Sequence, residues 1–161
     1  MDARWVDPPT RASPPPIPWP TPPRWRGVTP VVIDASAGVE LAADTSRGRS
    51  LRAVLPTDAV PWVPEVFFVE CGAVLPRCDL NRVLTSREIT TAVDQLLVWP
   101  LRIAQVRPLF RDAWGRRANV SFRDAVYVAL AAHLGAALLT NDHRLANAPR
   151  LPVPVLRIAP R

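Results

Sequence analysis

An α/β fold, with a mostly parallel central sheet flanked by helices, is the architecture the sequence predicts, and three observations lead to it. From Val31 onward, short apolar runs alternate with stretches of helical spacing, the pattern of βαβ units wound around a parallel sheet. The runs themselves, such as Val31-Val32-Ile33 and Ala136 to Leu139, are brief and unbroken, as in buried strands. Acidic residues then stand where such runs end or where a helix begins, the edge at which open α/β sheets place their ligands.

Val31 to Ile33 is the first strand, ending at Asp34, and a helix follows through Ala43. A second helix is expected from Ser46 to Leu55 and a strand from Val60 to Val63. Pro64 is expected to open the next helix, which runs to about Cys78, because proline suits the first helical position. Ile89, Val93, Leu96 and Leu97 give helical spacing to Thr85–Trp99, and Thr85-Ser86-x-Glu88 is a capping signal ahead of it. Leu101 to Val106 reads as a short strand and Pro108 to Arg117 as a helix. Ser121 starts the helix Phe122 to His133, which Gly135 stops. Ala136 to Thr140 and Val153 to Ile158 close the sheet. No internal repeat is visible.

The chain of 161 residues, 48% hydrophobic, suits one folded domain, residues 31 to 161. Residues 1 to 30 hold ten of the 20 prolines with Trp5, Trp19 and Trp25 between them, a composition expected to be extended or disordered. This segment reads as a plain tail, a ligand for an aromatic groove, or a gene-model extension ahead of initiation at Val28. All 20 basic residues are arginine and the formal charge is +6. That balance favours an anionic partner such as RNA, DNA or an acidic protein, although a GC-rich genome produces the same bias. Cys71 and Cys78 fit neither a CxxC pair nor a zinc site and read as free thiols in a reducing cytosol. The start lacks an apolar signal core. Ala125 to Leu139, interrupted by His133, falls short of the roughly 18 apolar residues of a membrane span, so a cytoplasmic protein without membrane association is expected.

Four acids carry the chemistry. Asp34 ends the first strand and is either a ligand at the sheet edge or a helix N-cap. Glu70 has Val66, Ala73 and Val74 at i−4, i+3 and i+4, so it intrudes on an apolar stripe; its bland reading is a pair with Arg77. Asp124 completes Ser121-Phe122-Arg123-Asp124, a capping box in form, yet a carboxylate in a first turn can also hold a cation. Asp142 repeats the strand-end placement of Asp34 and is otherwise the N-cap of Asp142 to Leu145. An ionised carboxylate among apolar neighbours costs several kcal/mol unless compensated. Four at one sheet edge point to a pocket for Mg²⁺ or Mn²⁺, since hard cations take oxygen ligands, and such ions promote phosphodiester hydrolysis.

Val-Val-Ile-Asp34-Ala-Ser36, Pro64-Glu-Val-Phe-Phe-Val-Glu70, Ser121-Phe-Arg-Asp124-Ala-Val-Tyr-Val-Ala-Leu-Ala and Leu138-Leu-Thr140-Asn-Asp142-His-Arg-Leu145, in this order, resemble the PIN-domain ribonucleases, and within them the VapC-type toxins of type II toxin–antitoxin pairs. The likeness runs from about Val31 to Ile158. It implies a PIN-like three-layer sandwich in which Asp34, Glu70, Asp124 and Asp142 are catalytic and coordinate one or two Mg²⁺ ions, with Ser36 and Thr140 orienting them through hydrogen bonds. It further implies RNA cleavage, a homodimer, and silencing by a cognate VapB-like antitoxin that inserts a segment into the acidic pocket. Members often carry Asn three residues after the Glu, where this chain has Ala73.

Glu40 reads as a solvated helix residue before it reads as a fifth acid of the site. His133 and His143 have no partners at ligand spacing. Arg144 and Arg116-Arg117 read first as surface arginines at a turn and a helix end, and second as phosphate contacts. Two other classes compete. A binding module would keep the fold without turnover. A phospho-acceptor domain uses a lysine, which this chain lacks, and an aspartyl phosphatase would need an acid at Ser36.

Overall fold

Residues 27–158 of the chain are described by a computed structural model. Five strands form one sheet in the order β3-β2-β1-β4-β5: β1 Thr29–Ile33, β2 Ala59–Pro64, β3 Arg102–Ala104, β4 Ala137–Leu139 and β5 Val155–Leu156. Every pairing is parallel. The expected mostly parallel sheet is therefore all-parallel among the described residues.

The chain leaves β1 and returns to β2 through α1 Ala35–Ala42 and α2 Ser46–Ala53, then reaches β3 through α3 Phe67–Leu80 and α4 Ser86–Val98. It next crosses back over the sheet, through a 3₁₀ turn at Arg107–Leu109, α5 Phe110–Gly115 and α6 Phe122–Leu134, to lay β4 on the other side of β1. α7 His143–Ala146 precedes β5. Strand order thus reverses between β1 and β4. The crevice outside the carboxyl ends of those two strands is the topological switch point, where this class of sheet binds ligands.

A buried core backs that edge. Val31, Val32 and Ile33 are fully or almost fully buried, as are Val63, Leu138 and Leu139, because helices cover an all-parallel sheet on both faces. α1 packs on α2, α3 and α4, while α6 lies over β1 and β2 with α5 beside it. All residues of α6 from Ala125 to Ala131 are buried, so this helix is apolar around its whole circumference. α1 and α2 approach closely enough that a Cβ on Gly48 would stand 1.9 Å from the Glu40 carbonyl oxygen.

Local signals placed most elements correctly. Thr85 caps α4 with the reciprocal Glu88 bonds of a capping box, and Gly135 stops α6 in the left-handed conformation at φ 61°, which glycine adopts without a Cβ penalty. Pro64 does not open α3. It is the last residue of β2, in register with Ala104, and the next amide, Glu65 N–H, bonds to the Ala104 carbonyl. The parallel partner β3 holds the chain extended there, so α3 starts at Phe67. The expected apolar stripe on α3 also differs. Phe67, Cys71 and Leu75 are the buried positions, whereas Ala73 is exposed.

Candidate functional site

Asp34 is the residue immediately after β1, and its amide donates to the Leu139 carbonyl at the end of β4 at 2.9 Å, which seats it in the switch-point crevice. It caps no helix with its side chain. Instead, Ser36 Oγ donates to Asp34 Oδ2 at 2.5 Å and Thr140 Oγ1 donates to the same oxygen at 2.8 Å. The two hydroxyls lie 3.3 Å apart, and each also accepts a backbone amide: Asn141 N–H on Ser36 Oγ and Asp142 N–H on Thr140 Oγ1, both at 3.0 Å. The hydroxyls are thereby locked onto one carboxylate oxygen. Asp34 is only 5% exposed and Thr140 1%, the two buried polar residues of the described chain, and the hydroxyls of Ser36 and Thr140 both bear on the Asp34 carboxylate.

Glu70 reaches the same region from the first turn of α3. Tyr127 Oη, from a fully buried side chain on α6, donates to Glu70 Oε2 at 3.0 Å, and Arg123 Nε lies 3.8 Å from Oε1. The Arg77 partner considered from sequence is replaced by Arg123. Tyr127 and Arg123 escaped sequence reading because they sit on α6, 57 and 53 positions further along the chain, where only tertiary packing brings them to α3.

Burial raises the pKa of Asp34 above its ordinary value, against the lowering effect of Ser36 and Thr140, and Asp124 raises it further. Glu70 is raised as well, chiefly by burial, with Tyr127 and Arg123 opposing and with Asp34 and Asp124 adding to the rise. Asp34, Glu70 and Asp124 therefore feel one another as like charges. Cys71, fully buried beside them, is pushed up to about 12 by burial and then by Glu70 and Asp34, which keeps its thiol protonated and inert.

Asp124 and Asp142 are held more loosely. Ser121 caps α6 by accepting the Asp124 amide and donates its own hydroxyl to Asp124 Oδ2 at 2.7 Å. Asp142 caps α7, its Oδ1 accepting the amides of Arg144 at 2.7 Å and Leu145 at 3.4 Å, so the N-cap reading holds for it. Both acids line a cleft of about 580 Å³. Among the described residues no three His, Cys, Asp or Glu side chains stand close enough together to enclose a metal ion. Glu40 lies apart from the group, bonded through its carboxylate to the Thr45 hydroxyl.

The donor chemistry nevertheless fits a hard divalent cation. Carboxylate oxygens are its preferred ligands, and Mg²⁺ keeps several waters rather than requiring a closed protein cage. Three mutually repelling acids, two of them held at raised pKa by burial, are the environment such an ion would relieve.

The PIN domain family model matches residues 31–151, the span that contains all four acids. Ribonuclease VapC3 of Mycobacterium tuberculosis is 39% identical over 119 residues, covering 73% of this chain and 86% of that protein. Ribonuclease VapC1 of the same organism is 35% identical over 125 residues, covering 75% and 92%. In fold, the chain is similar to VapBC2 from Rickettsia felis, solved bound to a DNA fragment from its promoter, with a TM-score of 0.56 at 11% identity over 81% of this chain and all of that one. It is also similar to Mycobacterium tuberculosis VapC20, a toxin that cleaves the sarcin–ricin loop, with a TM-score of 0.51 at 21% identity over 71% and 92%. With the acidic crevice at its switch point and relatives at this level of identity, the chain belongs to the PIN-domain family, in its VapC branch.

Proposed function

We propose that this protein is a Mg²⁺-dependent endoribonuclease toxin that hydrolyses RNA phosphodiester bonds and is neutralised by a VapB-like antitoxin. The observation that carries the reading is the buried Asp34 carboxylate at the switch point, fixed by two hydroxyls and coupled in charge to Glu70 and Asp124. Similarity to the VapC ribonucleases over most of their length supports the substrate class and, with it, a VapB-like partner.

Asp34, Glu70 and Asp124 would hold the ion, with Asp142 at the rim of the site. Bound there, Mg²⁺ or Mn²⁺ would supply charge neutralisation at the phosphate and activation of water for attack. The residues do the rest. Ser36 and Thr140 hold Asp34 by Oδ2, and Oδ1 would be the oxygen offered to the ion. Tyr127 holds Glu70 by Oε2 in the same way. Both acids are thereby aimed before any substrate arrives, which removes reorganisation from the reacting state.

The homodimer is part of the same proposal. Leu97, Val98, Ile103, Phe110 and Trp114 are each at least half exposed, and they are the apolar side chains a second copy would cover. No helix among the described residues is long and apolar enough to cross a membrane, and a cytoplasmic site of action belongs to the proposal. A non-catalytic binding module on the same fold is favoured by one observation, that no closed three-ligand cage stands among the described residues. Incubating a structured RNA pool with the full chain separates the two. Cutting in Mg²⁺ that stops with chelator and in Glu70→Gln supports the nuclease; an RNA pool left intact in every sample supports the module.

A further inference from the structure

Two clefts meet at Asp142, the one residue that lines both. The first, about 540 Å³, carries Arg47 from α2, His143, and Arg157 from beyond β5, with the exposed Ser46 and Ser50 also lining it. The second, about 580 Å³, carries Arg117, Arg123 and Arg144 around Asp124. Thr140, which holds Asp34, lines the first cleft and Asp124 the second, so arginines stand in both clefts that open onto members of the acidic group.

Most of these arginines already have partners. Arg157 donates to Asn147 Oδ1 at 2.5 Å, Arg117 lies over the Trp114 ring at 4.5 Å, and Arg123 faces Glu70. Arg47 and Arg144 differ, since both are exposed and neither guanidinium makes a hydrogen bond or ion pair within the described protein. Arg47 also stands in the first turn of α2, which holds no acid, and there a cation opposes the helix dipole. A cation set against a helix dipole with no contact to offset it is a local inconsistency of the kind that functional sites tolerate.

We infer that Arg47 and Arg144 bind backbone phosphates on opposite sides of the bond to be cut, so that the substrate strand runs from one cleft to the other across Asp142. This inference rests on the ribonuclease reading and narrows it. The ligand is unpaired RNA, because a strand must be splayed out of a duplex to enter two concave clefts separated by a single residue. Arg47 and Arg144 are positioning residues: they contact the chain of the substrate and not the reacting atoms.

The test measures binding of a fluorescent unpaired oligoribonucleotide to the full chain in chelator, across a salt series, for wild type, Arg47→Gln, Arg144→Gln and the double variant. Arg87→Gln is the control, since Arg87 is exposed on α4 and lines neither cleft. Each released phosphate contact should lower the slope of log affinity against log salt by about 0.7, and the double variant should lower it by about twice that. Arg47→Lys should restore the slope at its position, as a phosphate needs only the charge. Slopes equal to that of Arg87→Gln, with wild-type binding and cleavage intact, overturn the track alone and leave the clefts to an acidic peptide. Equal affinity for a blunt RNA duplex overturns the unpaired-strand requirement. If the wild type binds no RNA at any salt, the ribonuclease reading fails as well.

Discussion

Replacing Asp34 by Asn should have opposite effects on stability with and without divalent cation. Asp34 is 5% exposed and accepts two hydroxyl bonds on Oδ2. Those charge-assisted bonds contribute about 1.5–3 kcal/mol each, and their neutral counterparts in Asn, which retains an acceptor oxygen, about 0.5–1.5. Removing the charge relieves a desolvation cost of several kcal/mol, together with repulsion from Asp124 and Glu70. The metal-free variant should therefore be more stable by about 1–2 kcal/mol, a rise in Tm of roughly 3–6 °C for a domain of this size. Excess Mg²⁺ should stabilise the wild type by about 2.7 kcal/mol at a hundred times its Kd and leave Asp34→Asn unmoved, so the order of the two Tm values reverses. Differential scanning fluorimetry in chelator and in Mg²⁺ reads both. A variant that melts below wild type in chelator, or that keeps the Mg²⁺ shift, would refute the reasoning.

Three further outcomes are expected. Because the folded pKa of Asp34 is raised, its ionisation favours the unfolded state: its contribution to stability is intact near pH 4 and is lost as pH rises through the folded value. In chelator the Tm advantage of Asp34→Asn should accordingly be small near pH 4 and grow towards pH 7, and a constant difference would contradict this. Tyr127→Phe removes the 3.0 Å bond to Glu70 and should lower stability by about 1.5–3 kcal/mol while weakening Mg²⁺ binding in calorimetry, with the fold retained by circular dichroism. Gly48→Ala sets a Cβ 1.9 Å from the Glu40 carbonyl oxygen and should lower stability by about 3 kcal/mol or more. Gly72→Ala, whose Cβ meets only open space, should raise it by about 0.5–1 kcal/mol, and urea melts distinguish the pair.

The parts of the fold that were legible in the sequence are those fixed by neighbours in the chain. Val31-Val32-Ile33 followed by Asp34, the Thr85–Glu88 capping box, and Gly135 at the end of the largely apolar α6 each carry their instruction within a few residues. The same holds for Asp142, where the capping geometry foreseen as its bland reading is the geometry found. What escaped was set at long range. Pro64 stays in a strand because Ala104, 40 positions away, pairs with it. The Glu70 carboxylate is held by Tyr127 and Arg123 from another helix, and its true buried neighbours on α3 are Phe67 and Cys71. From sequence, Arg144 reads first as a surface arginine and second as a phosphate contact, and nothing near Arg47 in the chain marks it; only the fold sets them in the two clefts that share Asp142. Residues 1–26 and 159–161 lie outside the described part, and with them the reading of the proline-rich segment.

Counting bound Mn²⁺ by electron paramagnetic resonance, in the wild type and in Asp124→Asn, tests most directly whether the acids at the β1–β4 edge form a cation site. Asp124 is the informative position, because its carboxylate is tied to Ser121 in the metal-free chain and must still serve the ion. One or two ions per wild-type chain, with loss or marked weakening in Asp124→Asn and competition by Mg²⁺, is the expected result. No bound Mn²⁺ in the wild type, or equal binding in both proteins, would contradict the account.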